Sequence, residues 1–236
     1  MSRRWDTLEV DGTPMRCYLT LPDDARGLGT IAGVLVCMHA PGVDDFILGI
    51  CDRLANAGFA AIAPDLYHRQ TEPQDNPLKR MAHLKDAEIV TDLGSALTHL
   101  RGLGEMDAMR TAVVGFCMGG RLAYVHASED PSVSAAVVFY GGNMFDPWGE
   151  GPTPFERLAT LHTPVLGLYG DDDENPSPED VAKVDAELTR LDKWHEFHSY
   201  PDAGHAFMND ARPSYRAEAA ADAWQRCIAF LAERLR

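Results

Sequence analysis

Positive charge is scarce in this sequence, which has 21 Lys and Arg residues against 36 Asp and Glu residues and a formal net charge of −15 over 236 residues. Nucleic acids and anionic membranes are bound by clustered basic side chains, so the sequence predicts neither as a partner. No apolar run approaches the roughly 20 residues of a membrane-spanning helix. Residues 1–12 carry arginines without an apolar segment behind them, unlike a secretory signal. We therefore expect a cytoplasmic protein, either a monomer or a small homo-oligomer.

Cysteine is also sparse, and the five residues form an odd set without any C-x-x-C pair. Four of them lie in apolar or periodic segments, where a buried free thiol is expected: Cys17, Cys37, Cys51 and Cys227. His195 and His198 are an odd number of positions apart on a predicted strand and would face opposite sides. Cys37 and His39 would share a face, but the sequence offers no evident third ligand. We expect no metal and no cofactor.

Predicted strands alternate with predicted helices along the chain. The sequence predicts strands over 15–22, where apolar residues alternate, over the apolar run 30–39, and over 60–67, 110–116, 134–142, 163–170 and 193–201. Helical periodicity covers 44–59, 118–128, 178–191 and 213–235, together with a long helix over 76–104 that could be broken near its start. This alternation predicts an α/β fold with a mainly parallel, twisted sheet and helices on both faces. Without an internal repeat or a long polar linker, we expect one domain over 1–236.

A cysteine stands at a glycine-rich corner in the segment "TAVVGFCMGGRLAYVHAS", where Cys117 separates a predicted strand from a predicted helix. Gly115 and Gly119 remove side chains that would collide in a sharp strand–turn–helix junction. A helix N-terminus also favours the thiolate form of a cysteine. The pattern favours a nucleophile presented by a tight turn. The alternative is that the glycines serve the turn alone and the cysteine is incidental.

A possible acid and base follow two later strands. Asp171, Asp172 and Asp173 come directly after the strand that ends at Gly170, and His205 follows the last predicted strand. Ligand sites of parallel sheets form at the carboxyl ends of the strands, which is where all these residues lie. Nucleophile, acid and histidine also occur in the chain order of α/β-hydrolases. The aspartates could instead form a solvated turn, with Asp173 capping the following helix.

These motifs resemble the dienelactone hydrolase family of α/β-hydrolases, over roughly residues 6 to 235. The resemblance is carried by "GFCMGG" at 115–120, "DAGHAF" at 202–207, "APDLYHRQ" at 63–70 and "HAPGVDDF" at 39–46. It implies an α/β-hydrolase fold and hydrolysis of a small ester or lactone through an acyl-enzyme. Cys117 would be the nucleophile and His205 the base. The family pattern G-x-x-D selects Asp173, because Gly170 precedes it by three residues.

The resemblance also implies an oxyanion hole made of two backbone N–H groups, those of Ala40 and Met118. Family members commonly carry a glutamate that activates the thiol, and an ungapped comparison places His39 there. A neutral imidazole could accept the thiol proton, a protonated one could stabilise the thiolate, and the residue could equally be structural.

Besides His39 in place of the usual glutamate, the sequence differs from the family pattern at a substrate-binding position. The family often has a carboxylate-binding arginine four residues after the histidine, where this chain has Asn209. Arg69, Lys79 and Arg80 are candidates for a second cation. A neutral ester or lactone is therefore as good a candidate substrate as a carboxylated dienelactone.

The segment 143–158 follows a predicted strand and contains Trp148 with other large apolar side chains. It could wall the active-site entrance, in which case Trp148 would shape substrate access. Alternatively, its aromatic residues dock the loop onto the core.

Two other functions compete with hydrolysis. The fold could carry Cys117 as a redox-sensing or ligand-binding thiol without catalysis. A sensor, however, needs neither the acid nor the histidine in triad order. A nicotinamide-dependent oxidoreductase would share the sheet, but the sequence lacks the G-x-G-x-x-G fingerprint.

Overall fold

The computed structural model describes residues 1–23, 29–71 and 76–236. The strands within these ranges are β1 (Ser2–Val10), β2 (Thr13–Leu21), β3 (Ile31–Cys37), β4 (Ala60–Pro64), β5 (Met106–Phe116), β6 (Ala135–Phe139), β7 (Val165–Gly170) and β8 (His195–Tyr200). The α-helices are α1 (Asp45–Asn56), α2 (Pro77–Met81), α3 (Asp86–Arg101), α4 (Met118–Glu129), α5 (Pro154–Arg157), α6 (Pro178–Arg190) and α7 (Ala217–Arg234). None of the helices so described is long and apolar enough to cross a membrane.

The strands form one sheet in the order β1-β2-β4-β3-β5-β6-β7-β8. The strands from β4 to β8 in this order pair in parallel, whereas β1 and β2 pair antiparallel at one end. Every residue of β3, β4, β6 and β7 is buried, as expected for strands covered by helices on both faces. The predicted α/β-hydrolase architecture with a mainly parallel sheet is confirmed.

The first strand was not predicted from the sequence. Its residues, SRRWDTLEV, are mostly polar and exposed, and only Val10 is buried. The strand forms because it pairs along its whole length with β2, from Ser2 opposite Leu21 to Val10 opposite Thr13. A polar edge strand of this kind has little apolar periodicity for a sequence pattern to detect.

The predicted long helix over 76–104 is divided into α2 and α3. The second helix begins at Asp86, whose backbone N–H donates to Trp148 O over 2.8 Å instead of to an earlier turn of the same helix. A distant loop therefore contributes a hydrogen-bond acceptor at the start of α3. That loop, predicted over 143–158, contains the short helix α5, which begins with Thr153 and Glu156 in a reciprocal capping box.

Candidate active site

Cys117 lies in the turn between β5 and α4. Its backbone has φ 56° and ψ −119°, in the left-handed region that costs energy for a residue with a side chain. A Cβ at Gly115 would collide with the backbone carbonyl of Gly119, and a Cβ at Gly119 would collide with the carbonyl of Cys37. The glycines thus allow the first turn of α4 to pack directly on the ends of β3 and β5. This packing supports the strained turn that presents the sulfur.

His205 and Asp173 meet between the loops that follow β7 and β8. His205 Nδ1 lies 2.8 Å from Asp173 Oδ2, and Asp173 is only 4% exposed. The other carboxylate oxygen of Asp173 accepts a hydrogen bond of 2.9 Å from Asn175 N–H. Asp171 and Asp172 are exposed. Of the three consecutive aspartates, Asp173 is the one that the structure brings to His205.

The charges of Cys117 and His205 stabilise each other. Burial opposes ionisation of the thiol, but the hydrogen bond and charge of His205, together with the N–H groups of Met118 and Ala40, lower the pKa of Cys117. Burial alone would lower the pKa of His205, whereas its hydrogen bonds with Asp173 and Cys117 raise that pKa to about 10. These opposite shifts favour a thiolate–imidazolium pair.

The two predicted oxyanion-hole groups converge on the sulfur. The backbone N–H groups of Met118, at the first position of α4, and of Ala40, after β3, both act on the Cys117 sulfur and help to lower its pKa. Ala40 belongs to a tight turn in which Gly42 N–H donates to His39 O over 2.9 Å. Two fixed backbone donors beside a thiolate are the arrangement that stabilises an oxyanion when the sulfur attacks a carbonyl.

Two cavities of about 440 and 890 Å³ meet at the sulfur. Both are lined by Ala40, Leu78, Cys117 and His205. The smaller, which we call the Asn143 cavity, is also lined by Met81, Met118, Asn143, Asp172, Glu174 and Asn175. The larger, the Arg212 cavity, is also lined by His39, Pro41, Pro77, Arg212 and Ser214. A substrate at Cys117 can therefore extend in two directions with different polarity.

His39 lines the Arg212 cavity, but one of its ring nitrogens is engaged elsewhere. Its Nε2 lies 2.7 Å from Asp44 Oδ1, at ion-pair distance although outside hydrogen-bond geometry. The imidazole also packs on the ring of Phe46, with 5.3 Å between the centroids. Nε2 therefore faces the acidic residue that caps α1, which favours the structural interpretation of His39 over a direct role at the thiol.

Asn209 and Arg69, which the sequence suggested for substrate binding, have other partners in the structure. Asn209 is 4% exposed, and its Oδ1 accepts a hydrogen bond of 3.0 Å from Ala211 N–H, so this side chain closes a turn. Arg69 is paired with Asp11 and Asp92. Arg212, which sequence reasoning did not single out, is among the residues that line the cavity named after it.

Arg80 and Lys79 belong to α2, next to the cavity-lining Leu78. The Arg80 guanidinium carbon lies 3.9 Å from the centroid of the Tyr67 ring. Lys79 is exposed on the same helix. Among the described residues, neither Lys79 nor Arg80 lines the Asn143 cavity or the Arg212 cavity.

Trp148 anchors its loop rather than lining either cavity. The guanidinium carbon of Arg121 lies 4.0 Å from the centroid of the Trp148 ring. Arg121 is fully buried and forms an ion pair with Asp86, to which the Trp148 N–H also donates over 3.0 Å. Within the described chain, Trp148 is not among the lining residues of the Asn143 and Arg212 cavities. This placement favours the docking interpretation of the loop.

The remaining cysteines and histidines lie apart from the site. Cys17, Cys37, Cys51 and Cys227 are buried free thiols, as predicted. His195 contacts Asp185 of α6, whereas the His198 ring faces Arg226 of α7, so the two histidines diverge. Over the described ranges, no group of three or more His, Cys, Asp or Glu side chains could hold a metal ion.

Sequence reasoning missed the residues that support the site. Asn175 and Asn143 exchange two hydrogen bonds of 3.1 Å, which join the loops after β6 and β7 beside Asp173. Tyr140, with a positive φ of 41°, sets its ring edge-on to His205 at 5.2 Å between centroids. The only local signal for them is a position just after a strand, and that signal does not distinguish them from ordinary loop residues.

Comparison with known proteins gives a consistent result. The sequence model of the dienelactone hydrolase family matches residues 15–235. The chain is 37% identical over 216 residues to a Methylorubrum extorquens protein named as a carboxymethylenebutenolidase, a match that covers 89% of this chain and 73% of that one. A protein of the same name from Escherichia coli is 34% identical over 94% of this chain and 83% of its own length.

Solved structures of similar fold include a protein named as a dienelactone hydrolase and an esterase. A crystal structure named as a dienelactone hydrolase, from Klebsiella pneumoniae, superposes with a TM-score of 0.91 at 33% identity and covers 98% of both chains. An esterase from Thermogutta terrifontis, at 17% identity and a TM-score of 0.77, shares the fold over 98% of this chain and 94% of its own.

Proposed function

Because this chain belongs to the dienelactone hydrolase family and is accordingly a hydrolase of carboxylic esters or lactones, we propose that it acts through Cys117, His205 and Asp173 and a covalent acyl-enzyme. The observation that carries the proposal is the convergence of three groups in one cleft. These are a thiol whose pKa is lowered, an imidazole 2.8 Å from a buried carboxylate, and two N–H donors at the sulfur.

Acylation begins when the Cys117 sulfur attacks the carbonyl carbon. The carbonyl oxygen becomes an oxyanion held by the N–H groups of Ala40 and Met118. As the carbon–oxygen bond to the leaving group breaks, the His205 imidazolium donates its proton to the departing alkoxide. The products of this step are an alcohol, which stays tethered if the substrate is a lactone, and a thioester on Cys117.

Deacylation uses the same residues in reverse. The thioester carries no negative charge on sulfur, so one of the interactions that raise the pKa of His205 disappears. The neutral imidazole, oriented by Asp173, then takes a proton from water as the water oxygen attacks the thioester carbon. The carbon–sulfur bond breaks, the carboxylic acid leaves, and the thiolate–imidazolium pair is restored.

The test compares the wild-type protein with Cys117→Ala and with Cys37→Ala, a matched control at a buried thiol. The substrates are p-nitrophenyl acetate and butyrate, a neutral lactone and a dienelactone bearing a carboxylate. We expect turnover to disappear only in Cys117→Ala. Equal activity of all three proteins would mean that another site catalyses the reaction and that Cys117 is not the nucleophile.

The same panel addresses the substrate. Arg212 is a cation in the larger cavity beside the sulfur, so preference for the carboxylated dienelactone that is lost in Arg212→Ala would assign a carboxylate to that cavity. Equal rates with and without the carboxylate would instead favour a neutral ester or lactone. Inertness of the wild-type protein toward the whole panel would indicate either a substrate outside the panel or the alternative of a redox-sensing or ligand-binding thiol.

A further inference from the structure

One buried hydroxyl group contacts both residues of the proposed oxyanion hole. Tyr67, in the turn after β4, is 2% exposed. Its hydroxyl donates a hydrogen bond of 2.7 Å to the backbone carbonyl of Ala40 and lies 3.8 Å from Met118 Sδ. The Tyr67 hydroxyl thus joins three segments of the chain, because Tyr67 follows β4, Ala40 follows β3 and Met118 begins α4.

The hydrogen bond from Tyr67 fixes the second of the two peptide groups beside the Ala40 Cα. The His39 carbonyl accepts from Gly42 N–H over 2.9 Å. Since a trans peptide is planar, with its C=O and N–H pointing in opposite directions, this bond orients the N–H of Ala40 away from Gly42. The Tyr67 hydroxyl holds the next carbonyl, that of Ala40 itself. The peptides on both sides of the Ala40 Cα are therefore held by hydrogen bonds.

Tyr67 is itself held firmly in place. Its backbone N–H donates to Asp65 Oδ1 over 3.0 Å, and its carbonyl accepts from Gln70 N–H over 2.9 Å. The Arg80 guanidinium covers its ring, and Gln70 Nε2 donates to the Arg80 carbonyl over 2.8 Å. A buried tyrosine hydroxyl generally needs an acceptor. Here that acceptor belongs to a residue whose N–H faces the reacting sulfur.

We propose that Tyr67 is a positioning residue of the oxyanion hole, which keeps the Ala40 N–H aimed at the developing oxyanion by holding the Ala40 carbonyl. The inference rests on the proposed function, because an oxyanion forms only if Cys117 attacks a carbonyl. Tyr67 is buried and is not among the described residues that line the two cavities, so we assign it no contact with the substrate. Its contribution should therefore appear in acyl transfer and not in reactions of the sulfur that form no oxyanion.

The test measures two reactions of the same sulfur in Tyr67→Phe. Acylation by p-nitrophenyl acetate passes through an oxyanion, whereas alkylation by iodoacetamide does not. Alkylation is compared at a pH on its plateau, where the thiol is fully ionised. We expect kcat/KM for the ester to fall about tenfold, through kcat more than through KM, because a displaced donor stabilises the transition state less well. The plateau alkylation rate should stay unchanged.

The matched control is Tyr18→Phe, which removes a tyrosine hydroxyl that donates to Asp52 over 3.2 Å on the β2 side of the sheet. This variant should keep both rates. Wild-type acylation in Tyr67→Phe, or equal loss of acylation and alkylation, would overturn the proposal. Activity that survives in Cys117→Ala would instead refute the proposed function itself. If Tyr67→Phe does not fold, Arg80→Met replaces it: selective loss of acylation supports the proposal, and unchanged acylation overturns it.

Discussion

Cys37 and Cys117 lie at the carboxyl ends of neighbouring strands, and they have opposite chemistry. Cys37 ends β3 and pairs in register with Gly115 of β5, two residues before Cys117. Burial raises the pKa of Cys37. Burial also opposes ionisation of Cys117, yet the pKa of Cys117 is lowered by His205 and two backbone N–H groups. The comparison shows that the partners of a thiol can outweigh the effect of burial on its pKa.

The backbone accounts for this difference in partners. Cys37 continues a regular strand, whose N–H groups are used by the sheet. Cys117 leaves its strand in a left-handed conformation with φ 56°, and the helix that begins at the next residue has free N–H groups in its first turn. The strained turn therefore places the sulfur among donors that a regular strand cannot offer.

The largest effect on ester hydrolysis should come from weakening the partner that lowers the pKa of Cys117, since Cys37 has no such partner among the described residues. In Asp173→Asn, His205 loses the carboxylate that helps to raise its pKa. We expect kcat for ester hydrolysis to fall by about 10⁴, the size of the effect in serine-protease triads. The exposed neighbour Asp171 is the control, since Asp171→Asn should retain activity. A comparable loss in both variants would disprove the specific pairing of Asp173 with His205.

The pH dependence sharpens the comparison between the two thiols. Alkylation of Cys117 should rise with pH and reach its plateau below the ordinary thiol range, because its pKa is lowered. For acylation, kcat/KM should fall as pH rises through about 10, where His205 loses its proton. Mass spectrometry after iodoacetamide treatment of the folded protein should find Cys117 modified and Cys37 intact. Modification of Cys37 at a similar rate would contradict the comparison.

A smaller effect is expected when Cys37 itself is changed. Cys37→Ala removes a buried sulfur from the core, so the free energy of unfolding should fall by about 1 kcal/mol in urea titrations. Ester hydrolysis should persist, since Cys37 is not among the described residues that line the Asn143 and Arg212 cavities. Loss of hydrolysis in a folded Cys37→Ala protein would show that the two thiols are coupled.

The smallest effect on catalysis should come from Trp148→Ala. The Trp148 ring packs on the Arg121 guanidinium, and this contact is lost in the variant whereas the backbone hydrogen bond to Asp86 remains. We therefore expect the thermal midpoint to fall while the acetate-to-butyrate preference stays unchanged. A changed preference for acyl length would instead support the interpretation in which Trp148 shapes substrate access.

Much of the site could be predicted because its main residues obey short-range rules. Gly115 and Gly119 mark the sharp turn around Cys117, and His205 follows a strand in the same way. The choice among Asp171, Asp172 and Asp173 could not be made from the residues alone. In the structure it depends on which side chain lies toward the loop after β8.

The sequence by itself determined the α/β architecture, the chain order of nucleophile, acid and histidine, and the glycine-lined turn at Cys117. Each is written in local patterns of apolar and small residues. Only the tertiary structure decided that His39 faces Asp44, that Trp148 packs on Arg121, and that Tyr67 holds Ala40. The contacts of Trp148 and Tyr67 join segments far apart in the chain, and the contact of His39 depends on how the turn after β3 folds. Such partners are selected by packing geometry, which no local pattern encodes.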